Sequence, residues 1–159
     1  MEFLETDLPD VWRIRPRLFG DQRGFFLELH HGGKFAAAGI TLPFVQDNLS
    51  RSQRNVVRGL HYQIQRPQGK LVMAMRGEIF DVAVDLRRNS PTFGRWTGTL
   101  LSEENREMLY IPPGFAHGFS VLSESADVFY KCTDLYSPED ERILAWDDST
   151  VGVDWRIQG

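Results

Sequence analysis

The sequence is poor in cysteine, in basic charge and in long apolar runs, and each absence excludes a class of protein. Cys132 is the only cysteine among 159 residues, so no disulfide can form within the chain, and a reducing compartment fits. The net charge of −4 disfavours a nucleic-acid partner, because nucleic-acid-binding surfaces are basic.

No apolar run is long enough to cross a membrane. The acidic start MEFLETDLPD lacks the features of a signal peptide. We therefore expect a cytoplasmic protein without a nucleic-acid or membrane partner.

Repeats, linkers and low-complexity segments are also missing, so residues 1–159 are expected to form one domain. Short apolar runs separated by glycine and proline predict many short strands. The run EIFDVAVDLR alternates, with Phe80, Val82 and Val84 on one face and Asp81 and Asp85 on the other. Four further stretches read as strands: KLVMAM, RWTGTLL, EMLYIP and DVFYKCTDLY.

Helices are expected to be few and short. One is predicted around GKFAAAG, and another around SEENREM, where Ser102 would cap the first turn and Glu103 and Glu104 would follow it. Turns are predicted at RRNSPTFG, PPGFAHG and YSPEDER. This spacing favours an all-β antiparallel sandwich or barrel with a ligand cavity at its mouth.

Two of the four histidines stand out. His30 and His31 are expected to be loop residues without a functional role, whereas His61 in RGLHYQ and His117 in PPGFAHG lie on or beside predicted strands. PPGFAHG has the Pro-x-Gly-x-x-His pattern of many cupin barrels. Gln63, however, stands where a metal-binding cupin has a second histidine of its first motif, and a catalytic metal usually needs three protein ligands. We favour His61 as a proton-transfer base over a metal ligand or a core residue.

Removal of a carbon-bound proton also needs a group that meets the enolate oxygen and, for epimerisation, an acid on the opposite face. Lys70 in QGKLV and the hydroxyl of Tyr130 are candidates for these two tasks. A solvated lysine and a core tyrosine are the alternatives. Three arginines are candidate clamps for a diphosphate, namely Arg23, Arg51 and Arg58. Phe19, Phe25 and Phe26 beside Arg23 are either a nucleotide site or plain core residues.

Long motifs in register resemble the dTDP-4-dehydrorhamnose 3,5-epimerase family over about residues 7–155. The motifs are FGDQRGFFLE, FVQDNLSRSQRNVVRGLHYQ, QGKLVMAMRGEIFDVAVDLRRNSPTFG, IPPGFAHGFSVLS and YKCTDLYSPEDER. The resemblance implies a cupin-type jelly roll that uses neither metal nor cofactor. It implies inversion of C3 and C5 of dTDP-4-keto-6-deoxyglucose in deoxysugar or rhamnose biosynthesis. It also implies a homodimer with exchanged N-terminal strands.

The resemblance further implies a role for each matching residue. His61 is the base, Tyr130 the acid, and Lys70 lies near the keto oxygen. Arg58 binds diphosphate, and Tyr136 stacks on thymine. The remaining implied substrate contacts are Gln46, Asn48, His117 and Glu141 within one subunit, and Phe19, Arg23 and Glu28 from the partner subunit.

The family's C-terminal tail, with an aspartate that pairs with the base, lies beyond the residues matched here. Three alternatives follow: another acid substitutes, with Asp81 and Asp85 the nearest candidates in the motifs, or the enzyme is weaker, or the sequence is trimmed. Two alternatives to a double epimerase stay open: an epimerase of C3 or C5 alone, and a catalytically silent cupin that binds nucleotide sugars. Retention of both a base and an acid favours the enzyme.

Overall fold

Antiparallel strands dominate the structure, a computed structural model that describes residues 1–158. The strands are β1 (Glu2–Glu5), β2 (Trp12–Arg15), β3 (Leu18–Asp21), β4 (Gly24–Leu27), β5 (Gln46–Gln53), β6 (Val57–Gln63), β7 (Lys70–Arg76), β8 (Glu78–Asp85), β9 (Trp96–Ser102), β10 (Met108–Ile111), β11 (Phe115–Val121), β12 (Ser125–Cys132) and β13 (Glu141–Ile143). One helix is described, α1 (Gly32–Ala37). No helix in the described residues is long and apolar enough to span a membrane.

Two sheets face each other, and a separate hairpin projects from them. The six-stranded sheet has the order β1-β2-β10-β7-β12-β5, the five-stranded sheet has the order β13-β6-β11-β8-β9, and β3 pairs with β4. Neighbouring strands in both sheets are antiparallel. This architecture confirms the predicted all-β jelly roll of the cupin type.

The main core fills the space between the sheets. Val72 and Val128 contribute to it from the six-stranded sheet, and Ile79 and Phe119 from the five-stranded sheet. Alternation along each strand sends every second side chain into this layer. The outer faces are covered as well, one by Phe35 of α1 and the other by the C-terminal segment around Trp155. Both faces of the central strands are therefore buried.

In strand β8 both faces are buried, because the outer face of its sheet is covered. Its predicted faces are correct, but both are buried. Phe80, Val82 and Val84 pack under Trp155 on the outside of the sheet. Asp81 lies on the opposite face with Ala83, which belongs to the core between the sheets. The face that carries charged residues thus points into the barrel.

The second predicted helix is wrong, whereas the first is confirmed. Residues 103–105 form a turn between β9 and β10. Ser102 Oγ accepts from the amide of Asn105 at 3.0 Å, and the amide of Ser102 donates to Asn105 Oδ1 at 3.0 Å. These reciprocal bonds resemble a helix cap. The chain then enters β10, so the cap closes a turn instead. In α1, His31 is the N-cap and accepts from the amide of Lys34.

The turn predictions are confirmed at residues 88–94 and 138–140. The turn at PPGFAHG is shorter than predicted, because β11 begins at Phe115 and includes His117.

We expect Gly98→Ala to lower the free energy of unfolding by about 1–3 kcal/mol, the usual range for overpacking a core. A Cβ at position 98 would overlap ring carbons of Phe80, which is 1% exposed and cannot withdraw. Urea denaturation followed by tryptophan fluorescence measures the change. Gly32→Ala is the control, because no heavy atom lies within 4 Å of its added Cβ. Equal unfolding midpoints for both variants would show that the Phe80 contact is not limiting.

Candidate active site

A polar cavity of about 270 Å³ opens where the apolar core ends between the sheets. Both sheets supply its walls: β5, β7 and β12 from one, and β6 and β13 from the other. The lining residues are Gln46, Asn48, His61, Tyr62, Gln63, Gln68, Lys70, Tyr130, Tyr136 and Glu141. The cavity thus brings together seven of the predicted site residues.

A smaller chamber of about 100 Å³ shares three residues with this cavity, namely His61, Lys70 and Tyr130. The chamber adds two more predicted residues, Arg58 and His117. The shared residues therefore lie between two spaces, one lined largely by amides and hydroxyls and the other by cationic and imidazole groups.

Strand register explains why these residues meet. His61 on β6 pairs directly with His117 on β11, so the two histidines adjoin across one sheet. On the opposite sheet Cys132 pairs with Lys70. Val128 belongs to the core between the sheets, and Tyr130 packs against that core, so alternation along β12 directs both side chains inward. His61 and Tyr130 consequently occupy opposite walls.

His61 is half-buried between charges of both signs. Its Nδ1 lies 3.0 Å from Glu141 Oε1, but the N–H direction does not satisfy a hydrogen bond to that oxygen. Burial lowers the pKa of His61, and Glu141 opposes this shift, while Lys70 and His117 add to it. The result is an imidazole that tends to be neutral at physiological pH and able to accept a proton.

Lys70 and Tyr130 form the opposite wall. The Lys70 ammonium lies 5.6 Å from the centre of the Tyr130 ring. Burial lowers the pKa of Lys70 and raises that of Tyr130. The Tyr130 hydroxyl is therefore protonated at neutral pH and can donate a proton.

A buried contact between a histidine and a carboxylate lies beside the smaller chamber. His117 Nε2 lies 2.7 Å from Asp81 Oδ1, and Asp81 is fully buried. This contact fixes the orientation of the His117 ring, so that its other nitrogen serves the chamber. Arg58 donates from Nε to Ser52 Oγ at 2.7 Å, which anchors one edge of the guanidinium and leaves its terminal nitrogens for other partners.

Neither Asp81 nor Asp85, the two candidate substitutes for the tail aspartate, stands beside His61, so these candidates are wrong. Asp81 contacts His117 instead. Asp85 accepts hydrogen bonds from Arg87, Ser90 and Thr92 at the base of the β8–β9 turn. The carboxylate beside His61 is Glu141, which β13 brings next to β6. Sequence separation hid this pairing, because β13 is a three-residue strand without an apolar pattern.

The outer cavity has its own polar framework. Gln46 Nε2 donates to Asn48 Oδ1 at 3.1 Å, and Gln46 Oε1 accepts from the amide of Tyr136 at 2.9 Å. The Tyr136 hydroxyl donates to Glu141 Oε2 at 2.9 Å. The hydrogen bond to Glu141 raises the pKa of Tyr136. The loop with Tyr136 is therefore tied to β5 and to β13.

Gln63 also binds the loop that carries Tyr136. Its Nε2 donates to the carbonyls of Arg66 and Leu135, and its Oε1 accepts from the amide of Ser137. Gln63 is thus a structural clasp as well as a lining residue, a role that its motif position did not reveal. Sequence reasoning also missed the lining residues Tyr62, Gln68 and Ser50.

Comparison with known proteins assigns the family. The family model described as dTDP-4-dehydrorhamnose 3,5-epimerase matches residues 5–159. The chain belongs to the dTDP-4-dehydrorhamnose 3,5-epimerase family. It is 57% identical to the protein of that name from Pseudomonas aeruginosa, over 99% of this chain and 88% of the relative. It is 52% identical to that of Neisseria gonorrhoeae, over 99% of this chain but 48% of the relative, about half of that protein's length.

A solved structure agrees with the family assignment. The dTDP-6-deoxy-D-glucose-3,5-epimerase of Legionella pneumophila, in complex with dTDP-4-keto-L-rhamnose, superimposes with a TM-score of 0.96 at 51% identity. The match covers 99% of this chain and 84% of the Legionella chain.

The three residues that the resemblance assigns to the partner subunit's site lie away from this chain's own cavity. Phe19 and Arg23 are on the β3–β4 hairpin, and Glu28 follows it, bound to Lys34 at 2.6 Å. Arg23 is 90% exposed and pairs with Asp21. The additional candidate Arg51 is held by Asp127 through two bonds of 2.6 and 2.7 Å. None of the four lines the cavity or the chamber.

We expect dialysis against a strong chelator to leave epimerase activity unchanged. The reason is that Gln63 stands where a metal-binding cupin has a second histidine. Its side-chain amide binds three backbone groups instead of turning toward His61. Activity is compared before and after dialysis, with a zinc-dependent enzyme treated in parallel as the control. Loss of activity that zinc or iron restores would contradict the expectation.

Proposed function

We propose that this protein inverts C3 and C5 of dTDP-4-keto-6-deoxyglucose, as an isomerase of dTDP-rhamnose or related deoxysugar biosynthesis. The observation that carries the proposal is the placement of His61 and Tyr130 on opposite walls of one cavity, with Lys70 beside Tyr130. A planar enolate between these walls presents one face to a base and the other to an acid. The names of the relatives support the substrate class.

The proton transfers balance with these three groups and with proton exchange between the site and solvent. His61 removes the proton from the carbon beside the C4 ketone, and the electron pair of the C–H bond moves onto the ketone oxygen. The Lys70 ammonium faces the resulting oxyanion and stabilises it. Tyr130 then gives its hydroxyl proton to the carbon from the opposite face, and the enolate electrons form the new C–H bond. Proton exchange with solvent restores both groups before the second centre reacts.

Other residues serve binding in this proposal. Arg58 and His117 line the smaller chamber, where Arg58 binds diphosphate and His117 makes a further contact with the substrate. Gln46 and Asn48 contact the substrate from β5. Tyr136, which is about half exposed at the cavity rim, offers a ring face on which thymine stacks. Glu141 contributes a further polar contact. The reaction needs no metal and no cofactor.

The base and acid assignments are tested by deuterium incorporation in deuterium oxide. We expect His61→Asn to abolish both epimerisation and exchange. Tyr130→Phe retains the base, so we expect deuterium to enter the recovered substrate without inversion. Each loss falls in the range of about 10²–10⁴-fold that acid–base groups contribute. NMR of the sugar follows both, and label at two carbons in the unmutated protein marks a double epimerase.

The matched control for these variants is His31→Asn, which replaces a histidine outside the cavity by another good N-cap residue. It should leave the reaction unchanged. Normal exchange in His61→Asn would remove His61 as the base. Label at one carbon only would make the protein a single-centre epimerase, and tight substrate binding without any exchange would make it a binding protein.

We propose further that residues 1–159 form one cupin domain that works in the cytoplasm as a homodimer. The core between the sheets draws on residues from Leu8 to Val128, and the outer cluster extends to Ile157, which supports a single domain. Cys132 is a buried free thiol, which fits a reducing compartment.

The dimer proposal rests on an apolar hairpin that the chain itself does not cover. Phe25 and Phe26 are 60% and 68% exposed. A groove of about 320 Å³ separates them from Met73 and Met75 on the six-stranded sheet. Strand β5 is the edge of that sheet, and its Leu49 is exposed. Exchange of N-terminal strands covers such surfaces and brings Phe19, Arg23 and Glu28 to the partner's nucleotide site.

We expect light scattering at micromolar concentration to give the mass of a dimer, and Phe26→Asp to give that of a monomer with little activity. A charge on the hairpin opposes burial against an apolar partner. Phe93→Asp is the control, because Phe93 is similarly exposed but lies on the turn before β9. A fully active monomer would refute the dimer.

A further inference from the structure

Glu141 uses its two carboxylate oxygens on two different cavity residues. Oε1 lies 3.0 Å from Nδ1 of His61, and Oε2 accepts the hydroxyl of Tyr136 at 2.9 Å. The carboxylate thus joins the rim of the cavity to the imidazole in its wall. The resemblance assigned Glu141 only a contact with the substrate.

We propose that Glu141 is a positioning residue for His61, and that the Tyr136 hydroxyl holds Glu141 in place. The inference rests on the proposed function, in which His61 is the base. The carboxylate selects the tautomer with the proton on Nδ1, which leaves the Nε2 lone pair for the substrate. Because Tyr136 also carries the stacking face for thymine, the nucleotide end of the site is linked to the base through the Tyr136–Glu141 hydrogen bond and the Glu141–His61 contact.

Strand register makes the arrangement specific to a long acidic side chain. Glu141 on β13 pairs with Gln63, two positions from His61 on β6, and Ile143 is the residue directly opposite His61. Diagonal neighbours of this kind are too far apart for short side chains but within reach of long ones. Glutamate bridges the diagonal and still has one oxygen left for Tyr136.

The contact between His61 and Glu141 is not yet a hydrogen bond in this structure, so substrate binding can tighten it. His61 Nδ1 is buried and has no hydrogen-bond partner, although Glu141 Oε1 is at hydrogen-bond distance. A buried polar nitrogen without a partner is unfavourable. A small rotation of the ring or the carboxylate converts the pair into a hydrogen bond. Catalytic hydrogen bonds commonly tighten in this way when substrate binds.

The charges around His61 give the sign of the pH effect. Glu141 faces it from β13, Lys70 from β7, His117 from β11 and the neutral Tyr130 from β12. Burial, Lys70 and His117 all lower the pKa of His61, and Glu141 is the one group among these that raises it. Loss of the Glu141 charge therefore lowers the pKa of His61, and the acid limb of kcat/KM moves to lower pH.

The first test needs no substrate and measures His61 directly by nitrogen-15 NMR of the full chain. We expect the Nδ1–H tautomer in the unmutated protein. In Glu141→Gln we expect a lower pKa and a weaker preference for that tautomer. Glu139→Gln is the control, because Glu139 lies on the preceding turn and bonds Ser137 rather than His61. An unchanged pKa and tautomer of His61 in Glu141→Gln would overturn the proposal, whatever reaction the protein catalyses.

The second test uses the epimerase reaction and the hydroxyl of Tyr136. Tyr136→Phe keeps the ring that stacks on thymine, so we expect KM to stay within about twofold while kcat falls. Partners that orient metal-bound histidines contribute about 10–100-fold to activity. By analogy we expect the loss in Glu141→Gln to fall in this range, with its acid limb shifted. An unchanged kcat in Tyr136→Phe would overturn the link to Tyr136. If no variant or parent turns over substrate, the proposed function fails, and the NMR result still decides the positioning role.

Discussion

The face-to-face packing of two antiparallel sheets is the constraint on which the site depends. Apolar side chains from both sheets fill the interlayer space around Val72, Ile79 and Val128, and this packing fixes the distance between the walls. At one end of the barrel the strands direct polar side chains inward instead. The two sheets cannot close over this space, because the apolar core holds them apart. His61 and Tyr130 therefore remain on opposing walls without a dedicated support for their separation. A change that thinned the core would move the reactive groups rather than only lower the stability.

Charge inside the barrel follows a consistent rule. The deeply buried carboxylates have polar partners close by: Asp81 contacts His117, and Asp85 accepts hydrogen bonds from Arg87 and its neighbours. Although burial pushes the pKa of Asp85 upward, hydrogen bonds from Arg87, Ser90 and Thr92 lower it below its usual value. The smaller chamber keeps an excess of cationic and imidazole groups, namely Arg58, His61, Lys70 and His117. This distribution suits an anionic substrate whose reaction creates a second negative charge.

Sequence patterns predicted the strands in which alternation along the chain matches the burial of each face in the fold. Strands β8 and β12 alternate strongly, and the alternation placed Tyr130 and Cys132 on one face correctly. Strand β5 could not be found from its pattern, because QDNLSRSQ is an edge strand with a single apolar residue. The helix predicted at Ser102 does not form, because the same side-chain bonds can close a turn or cap a helix. His61, Lys70 and Tyr130 were predictable because long motifs preserve their register. The Glu141 contact with His61 was not, since it depends on a pairing between strands distant in sequence.

Gln63 shows how one strand position can serve either of two designs. Its side chain binds two carbonyls and one amide of the loop that carries Tyr136. A histidine at this position has one ring nitrogen to donate and one to accept, so it cannot make all three bonds. A barrel that placed a metal ligand here would have to release the loop or anchor it differently. Metal coordination and a fixed aromatic rim are thus competing uses of one residue, and a switch between them would require the loop and the strand to change together.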